Sequence, residues 1–271
     1  MKAMVLMEIY AWVKSKHSYW LIIIVALLGG RIFLLTVNTQ SAGIAVAPVD
    51  VILVVIGGLT PLFSLILELP SWLILVALAI ILARNSMVSM GSLDTMLLVK
   101  SASKVKWWLV KMLLLLAINF AYILVILIVT SVFFIQTYYL NSWSEYALIF
   151  LPHLAESSMS PLAVVIFAYI ILFTGFLAIT TFVQTIGLFF NRESKYYLVL
   201  IALFIVLAVL YRNGVLTRQF SPMHYPSTID IVIPSIAAYL SSISFNIIVT
   251  VVNVVSGVIL VARRDLIVLG D

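Results

Sequence analysis

The sequence predicts an all-α integral membrane protein with six transmembrane helices. Of its 271 residues, 65% are hydrophobic and only 9% are charged, and the charges cluster between long apolar runs. A soluble domain of this length needs a far more charged surface to cover its core. A bilayer core about 30 Å thick takes about 20 apolar residues per helix, which suits these runs. The chain, residues 1–271, is therefore predicted to be a single transmembrane domain.

The N-terminal segment, residues 1–17, carries four charged side chains among apolar ones. It is too charged to span a membrane and predicts an interfacial helix, with a longer first span as the alternative. The apolar run at 18–37 predicts the first transmembrane helix. The other five spans are predicted at residues 63–84, 107–136, 161–190, 196–211 and 241–262.

The segments between the spans differ in character. The apolar run 49–83 is too long for one helix, so residues 50–61 are predicted to form a partly buried approach on the outer side. Residues 137–160 are predicted to be a loop. Residues 212–239 contain three prolines and cannot form a regular span. They predict a re-entrant outer segment between helices five and six, shielded from lipid by protein.

The basic residues are distributed unevenly between the two sides that six spans define. Arg212 and Arg218 fall on one side, and Arg31 lies within the first span. The other twelve of the 15 basic residues fall on the side of both termini: Lys2, Lys14, Lys16, Arg84, Lys100, Lys104, Lys106, Lys111, Arg192, Lys195, Arg263 and Arg264. Because short cytoplasmic loops are rich in Lys and Arg, both termini are predicted to be cytoplasmic in a multi-pass cell-membrane protein. The net charge of +5 then reflects topology and predicts no nucleic-acid partner.

The sequence contains no recognisable catalytic or metal-binding constellation. It has no cysteine, and none of its three histidines lies in a His-Glu-X-X-His motif or near a second ligand at metal spacing. It contains neither a Gly-X-Ser-X-Gly elbow nor a P-loop. The chain is therefore predicted to be neither an enzyme nor an ATPase, and to hold no metal or cofactor of its own.

Two ionisable side chains fall inside predicted spans, Arg31 in the first and Glu68 in the second. Each lies about two turns from the outer end of its helix, where an isolated charge is costly. One interpretation is an intramembrane Arg31–Glu68 pair, or a polar contact for substrate. The other is that each side chain reaches the outer headgroups separately.

The most informative polar segment lies between spans two and three. Leu93, Met96 and Leu97 fall on one helical face, and Asp94 suits the first turn of a helix. This pattern predicts a short amphipathic helix on the cytoplasmic side at about 91–99. Such a helix either docks on a soluble partner or rests on anionic lipid.

This segment resembles a motif of type-two ABC exporter permeases, close to Gly-Thr-Leu-Glu-X-Leu-Leu-X-X-Pro-X-Ser-Arg, with a lysine at the start of the third helix. The positions that resemble it are Gly91, Leu93, Asp94, Leu97, Leu98, Ser103, Lys104 and Lys111. Asp94 stands in place of Glu, no proline follows Leu98, and the spacing before Lys104 is one residue longer. The predicted architecture is similar to that of the family over the whole chain.

The resemblance implies the permease subunit of an ATP-driven exporter that moves hydrophobic or amphipathic substrates, such as toxic peptides, lipids or drugs. It implies a second permease copy or a homologue, and a separate P-loop ATPase subunit that binds ATP and Mg. The residues implied in ATPase coupling are Gly91, Leu93, Asp94, Leu97, Leu98, Lys104 and Lys111.

Two alternative functions remain open at this stage. The substrate-capturing subunit of a vitamin importer also has about six spans, and Trp143, His224 and Tyr225 are candidates for its outer pocket. A membrane-embedded enzyme is disfavoured by the missing catalytic groups. Polar residues within the spans are predicted either to line a pathway or to bond their own helices: Thr130, Ser131, Thr174, Thr180, Thr181 and Gln184.

Overall fold

The computed structural model describes residues 2–14, 20–41, 43–44, 46–59, 68–88, 103–132, 142–155, 157–188, 195–231 and 233–263. Within these residues the regular structure is helical and no strand occurs. The α-helices are α1 Lys2–Lys14, α2 Trp20–Ser41, α3 Pro48–Ile56, α4 Glu68–Val88, α5 Lys104–Val132, α6 Glu145–Phe150, α7 Pro152–Ala155, α8 Pro161–Gly187, α9 Lys195–Arg212 and α10 Ile236–Arg263.

Each predicted span overlaps one helix, namely α2, α4, α5, α8, α9 or α10. In the described part of the chain, α5, α8 and α10 are long and apolar enough to cross a bilayer. Shorter apolar stretches lie within α4, at Trp72–Leu82, and within α9, at Tyr197–Arg212. The prediction of an all-helical protein is therefore confirmed for the residues that the structure describes, and the long apolar helices are compatible with a membrane protein.

Helix α8 lies at the centre of the bundle and contacts α3, α4, α5 and α10. It is apolar on all sides, which is typical of a helix surrounded by other helices. The ring of Phe176 in α8 lies 6.2 Å from that of Trp72 in α4 and 5.3 Å from that of Tyr122 in α5. These aromatic contacts join three helices in the middle of the core.

Helix α10 is covered on one face only. Its buried residues pack towards α8 and α5, including Asn246, Asn253 and Gly257. The opposite face exposes a row of large apolar residues: Ile247, Ile248, Val251, Val252, Val255 and Ile259. In a membrane protein, such a face contacts lipid or another subunit rather than water.

Three segments outside the long helices pack together at the end of the bundle where α4, α8 and α10 begin. We call them the cap: α3, residues 142–155 with α6 and α7, and residues 213–231 with two 3₁₀ turns, Arg218–Phe220 and Pro222–His224. Helix α3 was not predicted, because the run from residue 49 is continuously apolar. Pro48 and Asp50 start it, and the Asp50 carboxylate accepts the Ala47 N–H at 3.3 Å.

The last cap segment reaches far down between α8 and α10. A Cβ atom added to Gly175 of α8 would meet the carbonyl carbon of Tyr225 at 2.5 Å, so only glycine fits there. Gly175 lies 14 residues after Pro161, which is about 21 Å along the helix axis. Most of residues 221–231 are buried. The prolines that forbid a regular span therefore belong to a segment enclosed by the bundle.

Candidate functional site

The predicted coupling helix at 91–99 lies outside the described residues. The roles of Gly91, Leu93, Asp94, Leu97 and Leu98 therefore stay predictions. The structure does show where the chain continues. Helix α5 begins at Lys104, and the Ser103 hydroxyl accepts the Lys106 N–H at 3.4 Å. Because a serine N-cap defines the start of a helix, the motif segment leads directly into α5.

The two lysines of the motif occupy different environments. Lys104 is half-buried in the first turn of α5, whereas Lys111, two turns later, is completely buried. A buried ammonium group is costly without a partner, and Lys111 is not without one. In this structure, the Lys111 side chain contacts the interior of the bundle and presents no surface to a soluble protein. Sequence periodicity alone gave no sign of this burial.

Two tryptophans at the start of α5 join it to α10. Trp107 and Trp108 are fully buried in a cluster with Leu188 and Val261. The Trp108 Nε1–H donates to the Val254 carbonyl of α10 at 3.1 Å. One turn further along α10, a Cβ atom on Gly257 would lie 2.7 Å from Trp108 Nε1 and closer still to its ring carbons. The nitrogen-bearing edge of the indole therefore faces the backbone of α10, in what we call the Trp108–Gly257 contact.

Helices α8 and α10 are joined by a buried row of polar contacts, the Asn–Thr ladder. Asn246 Nδ2 donates to Thr174 Oγ1 at 3.3 Å, and Asn253 Nδ2 to Thr181 Oγ1 at 3.5 Å. The Thr185 hydroxyl donates to the Asn253 carbonyl at 3.0 Å. Both Asn–Thr pairs are separated by 72 residues, so the helices run parallel with contacts every seven residues. A slip of one residue would break the whole ladder.

The candidate pathway residues are largely engaged in bonding their own helices. The hydroxyls of Thr130, Ser131, Thr174, Thr180 and Thr181 each donate to the carbonyl four residues earlier, at 2.6–2.9 Å. Such bonds satisfy hydroxyl groups inside an apolar environment. The structure therefore favours the interpretation in which these residues support helix packing over one in which they line a polar pathway.

Arg218 is the central residue of the cap. Its Nε donates to the buried Asp230 carboxylate at 2.7 Å, and Nη1 donates to the Ser242 hydroxyl of α10 at 2.7 Å. Nη2 donates to the carbonyls of His224 and Ser227 at 3.0 and 2.7 Å. Burial raises the pKa of Asp230 to about 6, and the neighbouring guanidinium opposes that rise. At neutral pH the pair is therefore ionised, and we call this set of bonds the Arg218 hub.

The same segment is bonded to α3 and α7. The Gly57 carbonyl accepts the N–H groups of Thr228 and Ile229 at 2.6 and 3.0 Å, and the Ser227 hydroxyl at 3.1 Å. His153 Nε2 in α7 lies 2.9 Å from the Ile229 carbonyl. The three parts of the cap are thus joined through one stretch, residues 227–229.

Arg31 connects α2 to the cap. Its Nη2 and Nη1 donate to the carbonyls of Val54 and Val55, at 2.8 and 3.3 Å, in the last turn of α3. A cation at this position stabilises the unpaired carbonyls and the negative end of the helix. This role was not predicted, because α3 was not predicted. The Glu68 side chain lies outside what the structure describes, so an Arg31–Glu68 pair stays a prediction.

A small cavity lies where the cap meets the start of α10. It measures about 90 Å³ and is lined by Arg218, Gln219, Tyr225, Ser241, Ser242 and Phe245. Ligand pockets for drug-sized molecules are typically about 300–1,000 Å³, so this cavity is too small for a vitamin. His224 is buried beside Ser221, and burial lowers its pKa to about 3, so it is neutral. Of the three residues suggested for an importer pocket, Tyr225 is the one that lines this cavity.

No metal site is evident among the described side chains, where no three His, Cys, Asp or Glu residues lie together. Comparison of the chain with protein-family models, curated proteins and solved structures found no match. The functional assignment therefore depends on the residues and their geometry.

Proposed function

We propose that the chain is the permease subunit of a type-two ABC exporter. In this proposal, two permease chains assemble with two separate P-loop ATPase subunits, which bind ATP and Mg. The main support is the direct continuation of the motif segment into α5, whose first turns contact α10 through Trp108 and Gly257. A helix joined this way transmits a displacement of the coupling segment to the rest of the bundle.

The contacts suggest a route for that displacement. ATP binding draws the cytoplasmic coupling helices together and moves the start of α5. The Trp108–Gly257 contact carries this movement to α10, and the Asn–Thr ladder carries it to α8. Asn246 also donates to the Tyr225 carbonyl at 3.0 Å, which joins α10 to the cap. Chains of packed and hydrogen-bonded groups of this kind are the physical means by which distant sites are coupled.

The substrates proposed are hydrophobic or amphipathic molecules, moved out of the cytoplasm or the inner leaflet. The hydroxyl groups considered for a pathway are already bonded to helix carbonyls. They are therefore poorly suited to replace the hydration shell of an ion or a polar solute. This supports an apolar or amphipathic substrate.

The proposed topology has six spans, cytoplasmic termini, an interfacial α1, a re-entrant segment and an outer cap. The bias of basic residues supports it, as do the exposed apolar side chains of α1, including Leu6 and Tyr10. Since the sequence contains no cysteine, a thiol reagent labels only the single cysteine that is introduced, and the labelling shows on which side of the membrane that residue lies. We expect a cysteine at Ser142 to be labelled by an impermeant reagent only from outside, and one at Ser194 only from inside. Reversed labelling would contradict the topology.

Docking of the ATPase is tested by replacing both Asp94 and Leu97 with alanine. We expect the double variant to insert normally but to lose co-purification with its cognate P-loop ATPase, because the acidic and apolar contacts of the coupling helix are removed. The matched control is Thr95→Ala, at a position that the sequence predicts to lie off the apolar face, and it should keep the complex. Unchanged co-purification of the double variant would refute the docking role.

A further inference from the structure

We propose that the cavity at the start of α10 binds the phosphate of an anionic phospholipid, with the acyl chains lying along the exposed face of α10. This inference concerns a lipid site and does not depend on the ATPase partner. In the topology proposed above, the cavity lies towards the outer leaflet.

The cavity walls combine the groups that a lipid headgroup requires. The Arg218 guanidinium, the Gln219 amide and the hydroxyls of Ser241 and Ser242 supply donors. The rings of Tyr225 and Phe245, with centroids 5.4 Å apart, supply an apolar wall. A volume of about 90 Å³ suits a phosphate group with part of its glycerol and excludes a larger solute.

The Arg218 hub leaves one donor available to a ligand. A guanidinium has five N–H groups, and four of them have partners: Asp230, Ser242, and the carbonyls of His224 and Ser227. The fifth belongs to Nη1, the nitrogen that bonds Ser242, and both residues line the cavity. The guanidinium is therefore held in place before a ligand arrives, and an anionic oxygen gains a charge-assisted bond at little entropic cost.

The cavity continues directly into an apolar surface. Ser241 and Phe245 line the cavity, and the same stripe of α10 continues through Ile248, Val252 and Val255 at spacings of three and four residues. The last three side chains are exposed in the described structure. A polar cavity lined by hydrogen-bond donors, at the head of an apolar stripe, matches the two halves of an amphiphile.

A phospholipid fits this site better than a free anion does. Asp230 compensates most of the Arg218 charge, so electrostatic attraction alone is weak for a hydrated ion. A phospholipid is already held in the bilayer with its acyl chains beside the exposed face of α10, so its headgroup reaches the cavity at a high local concentration. Because only a lipid can use the apolar stripe, the stripe favours a phospholipid over a free phosphate ion as the ligand.

The test measures lipid binding to the purified full chain in detergent by native mass spectrometry. The probes are phosphatidylglycerol, diacylglycerol as the headgroup-free analogue, and inorganic phosphate as a competitor. We expect phosphatidylglycerol to bind about tenfold more tightly than diacylglycerol, which corresponds to one charge-assisted hydrogen bond. Inorganic phosphate in millimolar excess should not displace it.

The decisive variant is Ser241→Trp, which fills the cavity without removing a bond of the Arg218 hub. Its matched control is Ser244→Trp, on an exposed serine of the same helix that does not line the cavity. We expect phosphatidylglycerol affinity to fall at least about tenfold in the first and to change less than about twofold in the second. Equal affinity in both variants, equal binding of diacylglycerol, or displacement by inorganic phosphate would each overturn the proposal.

Discussion

Replacing Arg218 by methionine is expected to lower the free energy of unfolding by about 3–5 kcal/mol. The substitution removes four hydrogen bonds and leaves the carboxylate of Asp230 buried without its cation. Without the guanidinium, Asp230 is left either charged without a partner or protonated in a site built for a carboxylate, and breaking a buried pair in this way is among the most destabilising changes in a folded protein. The measurement is the denaturant-induced or thermal unfolding of the detergent-purified chain.

Two further variants separate the ion pair from a general effect of substitution. Gln219→Met, at the exposed neighbouring position, should change stability by less than about 0.5 kcal/mol. Adding Asp230→Leu to Arg218→Met should recover part of the loss, because the pair is then replaced by apolar groups. If the double variant is less stable than Arg218→Met alone, the explanation by an unpaired carboxylate is wrong.

Replacing Gly257 by alanine is expected to destabilise the protein by about 1–3 kcal/mol, because the new methyl group overlaps the Trp108 ring. The indole has no space in which to move, since it is fully buried and its Nε1–H is bonded to the Val254 carbonyl. In the proposed exporter, the same substitution should also reduce transport more than ATPase docking, because it separates α5 from α10. Thermal unfolding of the purified chain checks the first effect, and vesicle transport checks the second.

The control substitution for Gly257→Ala is expected to raise the free energy of unfolding rather than lower it. Gly30→Ala in α2 adds a methyl group where nothing lies within 4 Å. It should therefore stabilise the helix by up to about 1 kcal/mol through propensity alone. Combining Gly257→Ala with Trp108→Leu should be less damaging than the two separate effects predict, since the overlap is relieved. A Gly257→Ala protein as stable as the Gly30→Ala control would contradict the close contact.

The helix positions were largely predictable. The run at 161–190 corresponds to α8, and the run at 196–211 to α9, with helix ends that differ by three residues or fewer. The apolar length needed to cross a bilayer is a property of the local sequence, so it needs no knowledge of the fold. Helix α10 begins five residues earlier than predicted, at Ile236, where the preceding Ser235 hydroxyl accepts the Ala238 N–H at 3.2 Å and caps the first turn.

The cap was predicted only in outline. Prolines in residues 212–239 correctly excluded a regular span, but nothing local indicated that the Gly57 carbonyl would accept the N–H groups of Thr228 and Ile229. Nothing in the local sequence indicated that Arg218 and Asp230 would form a pair either. A hydropathy pattern identifies them as two charges near a membrane, and only the folded segment brings them within 2.7 Å.

The candidate functional site, like the cap, was predictable from the sequence only in part. The resemblance to the permease motif came from adjacent residues, and α5 begins at Lys104, directly after Ser103, which is where that motif ends. The predicted span 107–136 places Trp108 at the start of the third helix, and only the structure shows it buried against Gly257, a residue 149 positions later in the chain. A close packing contact of this kind leaves no periodic signal in either helix.

The sequence by itself determined that this is a helical membrane protein and where its apolar helices lie, because the hydrophobic thickness of a bilayer acts on each stretch of chain separately. Only the tertiary structure decided which polar and charged groups meet. The contacts of Arg31 with the end of α3, of Arg218 with Asp230, and of Asn246 with Thr174 join residues that are 23, 12 and 72 positions apart in the sequence. The packing of the helices determines which polar groups come close enough to bond. A buried polar group without such a partner is costly, so these contacts depend on the whole fold.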